Sequence, residues 1–64
     1  MNAAFSPAIP AREAAKRALR GNRGRAAVLL LDGIEVHCTA IVLDGITYAL
    51  VGFSLHVGAT VRWL

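Results

Sequence analysis

The chain has 64 residues, 56% of them hydrophobic, and a formal net charge of +3. That length permits a single small domain, which buries a limited share of its surface and usually needs a disulfide, a metal or self-association for support. One cysteine, Cys38, excludes an intrachain disulfide, and Cys38, His37 and His56 are too few soft ligands for a four-ligand zinc site, which leaves self-association as the expected support.

Residues 1–9 read as an N-terminal arm broken by Pro7, with Phe5 and Ile9 as candidates for packing on the domain. A basic helix is predicted over 10–20. Pro10 suits its first turn, where backbone N–H groups lack helical partners. Ala11, Ala14, Ala15 and Ala18 give high helix propensity and form an apolar face with Leu19. Arg12, Lys16 and Arg20 recur at helical spacing on the opposite face, with Arg17 beside them. Gly21-Asn22 ends the helix, since either residue takes the left-handed cap conformation.

From Arg25 the hydrophobic period changes to two. Asp32-Gly33 and Asp44-Gly45, each followed by isoleucine, are strong signals for tight hairpin turns. They divide residues 25–63 into four expected strands, 25–31, 34–43, 46–52 and 55–63, in an antiparallel meander. In the second strand Ile34, Val36, Cys38, Ala40 and Val42 share one face. The other face begins with Glu35, His37 and Thr39 and turns apolar at Ile41 and Leu43. A strand apolar on both faces at one end is expected to be bent, or covered by a neighbouring subunit. Gly52 and Gly58 mark bends near the ends of later strands. The fold class expected is mainly β with one N-terminal α-helix, a small bent meander or barrel.

The segment Ala18-Leu19-Arg20-Gly21-Asn22-Arg23, the apolar run Ala26 to Leu31 and Asp32-Gly33-Ile34 together resemble the Sm-like family of SH3-type barrels, in particular its Hfq branch of bacterial RNA chaperones. The match continues to Asp44, and His56 with Thr60-Val61 is similar to the family's histidine segment once a few residues are deleted. The chain differs where the family has a uracil-stacking aromatic (Ile46), a Tyr-Lys pair (Ser54-Leu55), a mid-strand glycine (Cys38) and a first-strand tyrosine (Leu29). The resemblance implies strands pairing between subunits into a ring of five to seven copies, and a role for His56 at a base or ribose.

Charge is segregated. Six of the seven basic residues, Arg12, Lys16, Arg17, Arg20, Arg23 and Arg25, lie in the first half; Arg62 stands against Asp32, Glu35 and Asp44 in the second. Such a patch attracts polyanions, and arginine favours planar recognition of phosphate. The same stripe would also serve as a solvated face that keeps an apolar chain in solution. His37 and Cys38 are adjacent in a strand and point to opposite faces, which argues against a shared metal. No nucleophile, base and orienting group come together. Neither an enzyme nor a cofactor is expected. Trp63 continues an apolar period with Val61, which reads as core or subunit contact, with stacking on a base as the other reading.

The expected ligand is single-stranded RNA, or DNA, gripped by Arg12, Lys16, Arg17, Arg20, Arg23 and Arg25 with His56, in a homo-oligomeric ring. The alternative is a phage- or plasmid-type interaction module that docks on a host protein complex without nucleic acid. The longest apolar run, Ala26 to Leu31, is far short of the roughly 20 residues that cross a bilayer, and no secretory leader pattern is visible. A soluble, cytoplasmic protein away from membranes is expected, in keeping with the lone cysteine.

Overall fold

A computed structural model describes residues 10–64; the expected arm, with Phe5 and Ile9, lies outside the described residues. One helix, α1 (Ala11–Arg20), precedes five strands: β1 (Arg25–Leu31), β2 (Ile34–Leu43), β3 (Ile46–Val51), β4 (Ser54–Val57) and β5 (Val61–Trp63). All pairings are antiparallel, and the strands form one unclosed sheet in the order β4-β3-β2-β1-β5. The described chain is therefore mainly β with a single helix. Among the described residues no helix is long and apolar enough to cross a membrane.

Helix α1 starts after Pro10, which is extended, and carries Glu13 in its first turn and Arg17 and Arg20 in its last. These three charges lie at the ends that the helix dipole favours, and Arg12 in the first turn does not. The helix stops in a Schellman arrangement. Asn22 takes the left-handed conformation (φ 62°) while Gly21 does not (φ −88°). The Arg23 N–H donates to the Ala18 carbonyl (2.9 Å) and the Asn22 N–H to the Leu19 carbonyl (3.2 Å).

Both Asp-Gly pairs form the expected turns. Asp32 and Gly33 have φ of 49° and 78°, Asp44 and Gly45 of 52° and 75°, the doubly positive pattern of type I′ hairpins. A third tight turn, Gly52-Phe53, joins β3 to β4, with Val51 opposite Ser54.

The last expected strand, 55–63, is two strands that pair on opposite sides of the sheet. Gly58 has φ 68°, and the N–H groups of Gly58 and Ala59 both donate to the Thr47 carbonyl (2.8 and 3.1 Å). The chain is thereby turned across the end of the sheet. The Leu30 N–H then donates to the Thr60 carbonyl (3.3 Å), and β5 settles against β1 with Trp63 opposite Ala27. A period-two pattern cannot reveal this, because apolar residues continue on both sides of the break.

Two small cores result. Ala15 and Leu19 of α1 pack on Tyr48, flanked by Ile41, Leu43, Leu50 and Leu55. At the apolar end of β2 the chain's own helix thus covers the face with Ile41 and Leu43, while Val42 on the other face stays exposed. On the second core, Ala27, Leu29, Ala40 and Ala49 pack with Leu31, Cys38, Val51, Ala59 and Val61. Alanine supplies half of the fully buried apolar positions, so the layers come close but little area is buried. Leu30, Ile34, Val42, Ile46, Phe53 and Val57 stay exposed.

Candidate nucleic-acid interface

The basic residues fall into two groups. Arg12 and Lys16 border a shallow recess with Pro10 and Glu13 at the start of α1. A carboxylate among them offsets part of their charge. Arg17 and Arg23 line a second hollow with Ala14, Ala18 and Gly21 at the helix C-terminus. Arg23 also lines a third, together with Arg25, Ala40, Ile41, Val42 and Trp63. Shared by both hollows, Arg23 joins Arg17 to Arg25 in one basic track, and no described carboxylate lines either. Arg20 is exposed at the end of the helix and lines neither hollow.

Local structure explains why the track is ordered. The Schellman hydrogen bond of its own N–H ties Arg23 to the last turn of α1. Gly24 then passes so near the helix and β2 that a β-carbon there would overlap Leu19 Cδ2 and stand 2.9 Å from the Ala40 carbonyl oxygen. Arg25 opens β1 opposite Ala40. Its guanidinium lies over the indole of Trp63, 5.1 Å from the ring centroid, within cation–π range.

His56 stands apart from this track. It is half-buried on β4 opposite Ala49, which is opposite Ala40, which is opposite Arg25. Three strand spacings separate it from Arg25, roughly 14 Å along the sheet. His56 lines neither arginine-bearing hollow. Arg62, the remaining basic residue, reaches across β1 to Glu35 of β2 at 3.4 Å, on the sheet face opposite Arg25 and Trp63; both side chains are 62% exposed, so the pair contributes little. It is the one ion pair among the described residues.

Gly24 was not legible as part of this region, and Trp63 only as the second of two readings. Gly24 carries no turn signal, because its requirement is space. Trp63 follows the apolar alternation of a core strand, yet it is 36% exposed. The arginine just beside it in sequence, Arg62, points to Glu35; its partner on the ring is Arg25, brought near only by β1–β5 pairing.

Comparison of the chain with family models, curated proteins and solved structures finds no match.

Proposed function

We propose that this is a small Sm-like RNA-binding protein that assembles into a ring and holds single-stranded RNA along its basic surface. The observation that carries the reading is the track Arg17–Arg23–Arg25, which runs from helix to sheet with no described carboxylate beside it. Guanidinium groups in series suit a chain of phosphates better than a single anion. A single strand fits because its bases are free to turn toward an aromatic or apolar surface.

Assembly is supported by the sheet. The order β4-β3-β2-β1-β5 leaves two short strands, β4 and β5, as its edges. An edge presents unpaired N–H and C=O groups, and pairing β4 of one copy with β5 of the next would be a head-to-tail contact, which forms a ring where the rotation between copies closes. A helix ahead of five strands in this order accords with the Sm-like resemblance. The thin alanine core makes such support useful. His56, on edge strand β4, would then lie near a subunit boundary.

The test is binding of short single-stranded RNA by fluorescence anisotropy, with the mass of the free protein measured in parallel. Binding at about 50 mM salt that weakens steeply by about 200 mM, by a particle of several copies, supports the proposal. A monomer that ignores RNA at the lower salt overturns it. Phe53, 91% exposed at the tip of the third turn, favours a second reading, a protein-docking module; a partner retained from nuclease-treated lysate by the wild type but not by Phe53→Ser would support that instead.

A further inference from the structure

We infer that the hollow between Arg25 and Trp63 is a nucleotide subsite, in which one base of an RNA strand stacks on the indole while Arg23 and Arg25 hold the flanking phosphates. This rests on the RNA-binding reading above and adds a place where a base, not only the backbone, is held.

The hollow has the size and lining such a unit needs. It is an open hollow of about 340 Å³, within the range of small-molecule sites. Four of its lining residues, Ala40, Ile41, Val42 and Trp63, are apolar, and the other two are Arg23 and Arg25. Small residues create the space. Ala27 lies opposite Trp63, and Ala40 opposite Arg25. Both alanines are fully buried, so the side chain from the sheet that lies over the indole is that of Arg25. A tryptophan that served only the core would be buried; this one stays over a third exposed beside an open hollow. In the free protein the Arg25 guanidinium lies over the ring; a base that stacks there takes its place, and the guanidinium turns to the flanking phosphate.

A free aromatic acid would fill the hollow but leave Arg17 unused. Arg23 continues the cationic lining into the adjoining hollow with Arg17, which extends the site beyond one small ligand. That continuity points to a polymer with phosphates on both sides of the stacked base. Base–aromatic stacking tolerates any base, and the charged groups that line the hollow are both guanidiniums, so weak sequence preference is expected.

Trp63 is the single tryptophan of the chain, so its fluorescence reports on this site directly. The full-length protein is titrated with a short single-stranded RNA and with a base-free ribose-phosphate strand of equal length. RNA should quench Trp63, whereas the base-free strand should bind in a salt-dependent way without quenching. Trp63→Ala should weaken RNA binding about tenfold or more, and Trp63→Phe, which keeps a stacking face, only a few-fold. If RNA binds wild type and Trp63→Ala equally, or fails to quench Trp63, the subsite is wrong while RNA binding stands. An emission that responds to dilution of the protein but not to RNA means that another copy covers the indole, and also overturns it. No RNA binding at about 50 mM salt removes both proposals. Should Trp63→Ala fail to fold, the two wild-type titrations decide.

Discussion

Gly24 lies against the side chain of Leu19 with no room between them for a β-carbon. Its other close neighbour is backbone, the Ala40 carbonyl oxygen, which cannot rotate away as a side chain can. Gly24→Ala should therefore push α1 from the sheet and cost about 1–3 kcal/mol of stability. A lower urea midpoint checks this, and equal stability would show that the helix moves freely over β2.

Gly45 presents the opposite case. Nothing lies within 4 Å of a β-carbon placed there, but its φ is 75°. Gly45→Ala should cost about 1–2 kcal/mol through backbone conformation alone. Gly45→Asn should be milder, since asparagine tolerates the left-handed region, whereas Gly24→Asn should be worse than Gly24→Ala. Thermal melts of the four variants separate space from conformation.

Charge along the track should appear in the salt dependence of RNA binding. Replacing Arg17, Arg23 and Arg25 by alanine should reduce the slope of log affinity against log salt by about 2 for each subunit engaged. Replacing Arg12 and Lys16 should change it less per charge removed, because Glu13 shares their recess. Equal slope changes per charge removed in the two variants would mean that charge acts in bulk and not along the track.

Cys38 faces the alanine-rich core. Burial pushes its thiol pKa up, against a smaller opposing effect of a backbone hydrogen bond at Leu29. The folded thiol should react with iodoacetamide several-fold more slowly than the thiol in urea at pH about 8.5. The folded state also holds this proton more tightly than the unfolded chain. Its contribution to stability is full below the unfolded thiol pKa and is lost as pH rises through the folded one. The urea midpoint should fall over that alkaline window in wild type, and less in Cys38→Ala.

What the sequence alone determined was local. Asp32-Gly33 and Asp44-Gly45 set the first two hairpins because their backbone preferences are intrinsic to adjacent residues. The alanines and the spaced arginines marked α1, and the end at Gly21-Asn22 was visible, although which residue takes the left-handed conformation was not. The departures all depend on residues distant in the chain. The break at Gly58 matters because Thr47 accepts two hydrogen bonds there and Thr60 meets Leu30, contacts that no period can display. Ile41 and Leu43 find their cover in α1, and Gly24 is glycine because a helix and a strand converge on it. The basic cluster was legible by composition. Tertiary structure alone divided it, joining Arg17, Arg23 and Arg25 into a track, leaving His56 across the sheet, and setting Arg25 over Trp63. The physical reason is that strand pairing, unlike turn formation, depends on which distant edge is free to accept a strand.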